Sequence, residues 1–236
     1  MIERPQRAMV FFAHPDDEMG CAGTIAKWIQ QGSEVALVVC TNGDKGTEDP
    51  EMTPDRLAQI RRQEQQDAAS MLGVQEMVFL SHRDGELEDT REFRGELVRE
   101  IRRFRPQVVL THAPMNRIRH AHRDHRICGT VVLDAVFPYA RDPWHYPELT
   151  KAGFQPHKVG LVLLWGSESP DEFSDIGDTL DIKTQAMLRH RSQFVDRPHR
   201  NPSRKPGQSM REAAKRAGEQ AGIAFAEAFQ KMEFRI

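Results

Sequence analysis

Val10-Phe11-Phe12-Ala13-His14-Pro15-Asp16-Asp17-Glu18 runs from an apolar strand directly into a histidine, two aspartates and a glutamate. About a hundred residues on, the apolar run Val108-Val109-Leu110-Thr111 is followed by His120-Ala121-His122-Arg123-Asp124-His125. One acidic residue after a strand is explained as the cap of the next helix, favoured by the helix dipole. Three beside a histidine are not, because clustered carboxylates repel one another and a bound dication removes that repulsion. Imidazole and carboxylate suit zinc, and three such ligands leave a position open for water. Two strand-end clusters of this composition therefore predict a mononuclear metal site.

The rest of the chain supplies the frame. Residues 9–13 read as a buried strand and 20–31 as a helix with Ile25, Trp28 and Ile29 on one face, stopped by Gly32. Residues 35–40 form a continuous apolar run, typical of a strand covered on both faces. Thr53 and Pro54 start a helix as cap and first-turn proline, and Gly73 ends it after Leu72. Strands at 77–80 and 108–111 alternate with helices at 88–104 and 123–137. Further on come an ordered, proline-rich loop or lid (138–157), a strand (159–165), a helix (180–190), a basic connection (194–207) and a final Ala-rich helix (210–232). The alternation predicts an α/β fold, a Rossmann-like three-layer α/β/α arrangement with a mostly parallel sheet. In such sheets sites form beyond the carboxyl ends of the strands, where both clusters lie. The turn argues against a dinucleotide site. Its fingerprint needs glycines where this chain has Asp16, Asp17 and Glu18, which would repel a pyrophosphate.

Composition narrows the class. The 236 residues carry 33 basic and 35 acidic side chains, a formal charge of -2. Neither sign dominates, so no nucleic-acid partner is expected. Cys21, Cys40 and Cys128 are distant, odd in number and outside any CxxC, which reads as three reduced core thiols. The N-terminus lacks the apolar stretch of a signal peptide, and no run approaches the roughly 18 residues of a membrane span. A cytoplasmic enzyme with a small-molecule substrate is the expectation, with the last helix a candidate surface for a homo-oligomer.

The residues also suggest a chemistry. A strand-to-helix turn aims His14 and Asp17 at one point. His122 and His125, three apart, share a helix face, so that one binds metal while the other stands a hydrogen bond further out. Asp124 holds a histidine tautomer. Zinc in a two-His, one-Asp set lowers the pKa of its water to near 7. Asp16 is the candidate base for that water, and a protonated His122, made more basic by Asp124, would stabilise the oxyanion and feed the leaving amine. These parts match metal-assisted amide hydrolysis. A metal phosphoesterase would want two metals and more ligands, and a non-catalytic metal-binding module would need neither Asp16 nor His122.

Ala13-His14-Pro15-Asp16-Asp17-Glu18 and His122-Arg123-Asp124-His125 resemble the two signatures of the LmbE-like, or PIG-L, family of zinc N-deacetylases. Thr41-Asn42-Gly43-Asp44, Arg61-Arg62-Gln63-Glu64, Leu72-Gly73, Asp84-Gly85, Asp181-Ile182-Lys183, Ala186 and His190-Arg191-Ser192-Gln193 extend the resemblance over residues 8–194. The resemblance implies His14, Asp17 and His125 as zinc ligands (iron(II) being the alternative cation), with Asp16 as general base. It implies His122 as the oxyanion-stabilising histidine and Asp124 as the carboxylate partnered with a histidine. Arg61 and Asp84 resemble positions near sugar hydroxyls. Taken alone, Arg61 reads equally as a surface ion pair with Glu64, and Asp84 as a turn residue before Gly85. The implied activity is removal of an N-acetyl group from an N-acetylglucosamine-type sugar or conjugate, or cleavage of another acyl or thiol conjugate. Glu18 follows Asp17 directly, where some members insert a residue, which bears on substrate preference rather than on the ligands. Arg117, Arg119, Arg123 and Arg126 read as solvated surface or as a site for an anionic substrate group. One domain over residues 1–236 is expected, with 194–236 a basic loop and C-terminal helix extension.

Overall fold

Among the described residues, seven strands form one sheet in the order β3-β2-β1-β4-β5-β7-β6. The structure, a computed structural model, describes residues 2–115, 122–196 and 206–234. The strands are β1 (Arg7–Phe12), β2 (Glu34–Thr41), β3 (Glu76–His82), β4 (Val108–His112), β5 (Leu161–Trp165), β6 (Glu172–Asp175) and β7 (Ala226–Glu233). The helices are α1 (Ala22–Gln30), α2 (Pro54–Leu72), α3 (Arg91–Phe104), α4 (Arg123–Asp134), α5 (Pro147–Lys151), α6 (Leu180–Met187), α7 (Arg191–Phe194) and α8 (Gln208–Ala221). β3, β2, β1, β4 and β5 are mutually parallel, while β7 runs antiparallel to both β5 and β6. The strand order reverses direction of travel between β1 and β4, and their carboxyl ends carry the two polar clusters.

β1 shows why this is a three-layer fold. Its side chains alternate between faces. Met9, Phe11 and Ala13 join α3 and α4 through Leu97, Ile101, Val131 and Val132. Ala8, Val10 and Phe12 join α1 and α2 through Ile25, Trp28, Ala68 and Leu72. A strand covered on both sides is apolar at every position, which is how Ala8–Phe12 reads.

Local signals placed most boundaries. The Thr53 hydroxyl accepts the Arg56 N–H at 3.3 Å and Gly73 closes α2 with φ 83°. α3 begins three residues later than expected, because Thr90 caps it by accepting the Phe93 N–H at 3.1 Å. Asp17–Gly20 forms a separate 3-10 turn before α1. The loop around 138–157 is held by Arg102, whose buried guanidinium donates to the carbonyls of Tyr139, Ala140, Asp142, His145 and Tyr146 and to the Thr150 hydroxyl.

One expectation is corrected. Residues 210–232 are not a single helix: α8 stops at Ala221, Gly222 takes φ 70°, and Ala226–Glu233 is strand β7, inside the sheet. Ala, Glu, Gln, Lys and Met are good helix formers, but pairing with β5 and burial of Phe229 override that local preference. The short strand β6, which β7 joins to the sheet, had no counterpart in the sequence reading. Residues 197–205 of the basic connection lie outside the described residues, as do Arg117, Arg119 and His120. No helix among the described residues is long and apolar enough to cross a membrane.

Candidate metal centre and active site

The turn after β1 is built around Asp16, a non-glycine residue with φ 107°. That conformation is costly for an L-residue and persists only where surroundings enforce it. Here α2 does so. Arg61 donates through Nη2 to the Pro15 carbonyl, lies 3.3 Å from Asp16 Oδ2, and donates through Nη1 to the Gly43 carbonyl at 3.1 Å. Gln65 Oε1 accepts the Asp16 N–H at 3.0 Å. Arg61 is thus buried against the turn rather than paired on the surface with Glu64, whose carboxylate instead accepts from the Ser192 N–H and hydroxyl at 2.7 and 2.6 Å.

His14 faces two ways. Its Nδ1 lies 3.2 Å from both Asp17 Oδ2 and His125 Nε2, and Asp17 Oδ1 lies 3.1 Å from that same Nε2. Its Nε2 lies 3.2 Å from Asp124 Oδ2 and from Asp84 Oδ1. The first face fits a cation. Donors about 2.1 Å from one tetrahedral ion are about 3.4 Å apart, near the separations found. A second group, His14, His122 and Asp124, also brings three donor atoms together. Its carboxylate, however, is already engaged: Asp124 accepts the Gly85 N–H at 2.6 Å and the Leu87 N–H at 3.3 Å besides facing His14. That face therefore fixes His14 from behind, as a carboxylate behind a ligating histidine does.

Electrostatics agree. Burial works against a charge on His14, but Asp124, Asp17 and Asp84 overcome it and push its pKa up to about 12. A cation at Nδ1 would take the place of the proton that Asp17 attracts there, while Asp124 and Asp84 keep the proton on Nε2. Burial also opposes charge on Asp17, yet His112 and His125 hold its carboxyl well below the usual range. Burial raises Asp16 to about 7, with Asp17 adding to the shift and Arg61 opposing it. Asp84 and Asp124 are lowered: burial pushes against this, and contact with His14 wins. His122 is lowered, first by burial and then by the His14 charge.

A cavity of about 540 Å³ opens over this group, lined by His14, Asp16, Lys45, Gly46, Arg61, Asp84, Gly85, His122 and His125. His122 caps α4 by accepting the Asp124 N–H on Nδ1 at 3.2 Å, so a neutral ring carries its proton on Nε2. Seven of the eight candidate side chains line this cavity or pack within the donor cluster, and the eighth, Asp124, is fully buried beneath it.

Residues 9–136 match the PIG-L family, described as GlcNAc-PI de-N-acetylase. The chain belongs to the PIG-L family. It is 36% identical to a diacetylchitobiose deacetylase of Thermococcus kodakarensis over 184 residues, 78% of this chain and 68% of that one. It is 34% identical to a mycothiol S-conjugate amidase of Streptomyces coelicolor over 65% of this chain and 59% of that relative. The N,N'-diacetylchitobiose deacetylase of Pyrococcus horikoshii superimposes with a TM-score of 0.89 at 31% identity, covering 97% of this chain and 84% of its own. This PIG-L chain is accordingly an amide C–N hydrolase of α/β fold, and its family is metal-dependent.

Sequence reasoning passed over two features of the PIG-L site. His112 is the last residue of β4. It stacks on His125 and lies 3.4 Å from Asp17 Oδ2. Its position at a parallel strand's carboxyl end was the available signal. Glu18 and His190, both fully buried, form a 2.8 Å pair joining the turn after β1 to the residue before α7. Only the resemblance had singled out His190.

Proposed function

We propose that this enzyme removes the N-acetyl group from an N-acetylglucosamine-type amino sugar or its conjugate, releasing acetate and the free amine, with zinc as its cation. One observation supports this above the rest: the His14, Asp17 and His125 donors converge, and His14, His125 and the Asp16 carboxylate line one cavity. Two nitrogens and one carboxylate oxygen suit zinc better than the all-oxygen sets preferred by magnesium or calcium. The cation supplies Lewis acidity toward a carbonyl oxygen and makes water acidic near neutral pH.

The remaining work falls to the chain. Asp16, which burial holds near pH 7 and which Arg61 keeps oriented, accepts the proton of the attacking water. His122 presents its Nε2 N–H to the oxygen that gains charge, and the proton that Asp16 took from water passes to the leaving nitrogen. Because Nδ1 is engaged by the Asp124 N–H, even the neutral ring keeps this donor. Asp124 fixes His14 from behind. Arg61 and Asp84, 4.0 Å apart on the cavity wall, meet sugar hydroxyls. The whole chain acts as one domain, because β7 lies within the sheet. Three buried free cysteines suit a reducing compartment, so the cytoplasm is the proposed location.

The Streptomyces relative favours a second reading, cleavage of a thiol-conjugate amide by the same residues. Mass spectrometry of N-acetylglucosamine conjugates and of N-acylated thiol conjugates, joined to metal analysis, separates them. Loss of acetyl from the sugars with about one zinc per chain is expected. Cleavage of the thiol conjugates alone would move the assignment to the second reading. About two metals per chain with phosphate-ester turnover would contradict both.

A further inference from the structure

A column of rings runs from the apolar core to the cation donors. Trp165 ends β5 and pairs in register with His112 at the end of β4. The two rings meet at 4.7 Å with a 56° tilt. His112 in turn lies flat under His125, with centroids 4.2 Å apart and planes 15° apart. His112 is itself fixed, since its Nε2 accepts the Ala13 N–H at 3.2 Å, from the residue that precedes donor His14.

Two glycines make the column fit. A Cβ on Gly20 would overlap the Trp165 indole, 2.6 Å from its Nε1. A Cβ on Gly129, one helical turn beyond His125, would overlap the His112 carbonyl. α4 therefore approaches β4 closely enough for the His125 ring to rest on that of His112. His125 needs such a support. Among the three donors its side chain is the most exposed, at 28% against 9% for His14 and 13% for Asp17. Asp124 and Asp84 stand behind His14, whereas the broad contact of the His125 ring is with His112.

We propose that His112 is a positioning residue for the cation site: its flat ring, backed by Trp165, sets the plane of His125 and so aims Nε2 at the cation. This rests on the cation site proposed above. The shape of the ring does this, and the nitrogen that accepts from Ala13 holds the ring in place. Supports of this kind change metal affinity about 10–100-fold when removed, without touching the metal themselves.

The test uses the cobalt(II)-loaded protein, whose visible absorption reports the donor geometry, together with cobalt affinity from chelator competition. Each variant is compared per folded molecule by circular dichroism. His112→Gln keeps an acceptor but removes the flat ring. It should bind cobalt about 10–100-fold more weakly and change the spectrum. His112→Phe keeps a flat ring without the nitrogens and should lie much nearer to wild type in both readouts. An unchanged spectrum and affinity in His112→Gln would overturn the proposal, as would a His112→Phe variant more impaired than His112→Gln. Failure of the unmodified protein to bind cobalt would instead count against the cation site itself.

Discussion

Two buried acidic sites flank the start of α1, and they differ in how completely they are satisfied. On one side, Glu227 of β7 accepts the Gly23 N–H and the Thr24 N–H at 2.8 Å each, the Thr24 hydroxyl at 2.5 Å and the Lys183 ammonium at 2.6 Å. Every direction around that carboxylate is occupied, and it sits where a helix N-terminus favours negative charge. On the other side, Asp16 and Asp17 share one turn with His14; Asp17 lies 3.1 Å from His125 Nε2, and Asp16 lines the cavity. Acidic residues at a helix start thus serve opposite ends. Four donors around one carboxylate close a joint. Two imidazoles and one carboxylate that face one another, with a second carboxylate beside them, form a donor group that could hold a cation.

The contrast breaks most sharply at His125. His125→Ala should lose the cation and with it measurable turnover, as read by metal analysis and acetate release; retained metal would remove it from the donor set. Asp16→Asn should keep the cation and lower kcat by about 10²–10⁴-fold, the usual range for a lost general base. Full turnover in that variant would reject the base assignment. Glu227→Ala should do the reverse: it strands Lys183 in the interior and should lower stability by about 3–5 kcal/mol in chemical denaturation. Its cation content per folded molecule should stay the same.

The smallest expected effect is on pH dependence. Burial opposes charge on His190, but Glu18 outweighs it and raises the pKa above the usual value of 6.5. A raised folded pKa stabilises fully below the unfolded value, and that contribution is lost as pH rises through the folded one. Thermal unfolding in chelator should therefore show stability draining away above pH 6.5, and His190→Gln should flatten that slope. A variant with the same slope would assign it to other groups.

Much of this was legible because it is local. β1 is apolar at every position since both its faces are covered, and the polar residues that follow it sit where the fold rule puts sites. Thr53-Pro54 and Leu72-Gly73 mark the ends of α2 through capping chemistry alone. β7 was not legible. Its residues 226–233 favour a helix, and only pairing with β5, some 65 residues earlier in the chain, makes them a strand. The same limit hid the partner of Asp124. Its neighbour in sequence is His122, but its carboxylate reaches His14, 110 residues away. His112 escaped notice because a lone histidine at a strand end shows its worth only beside the ring it supports.

Zinc-edge anomalous diffraction from a crystal of the zinc-loaded protein tests the central claim most directly. One peak about 2.0–2.2 Å from His14 Nδ1, His125 Nε2 and an Asp17 oxygen is the expected result. A peak seated instead among His122, Asp84 and Asp124, or none in the cavity at full zinc loading, would contradict the account.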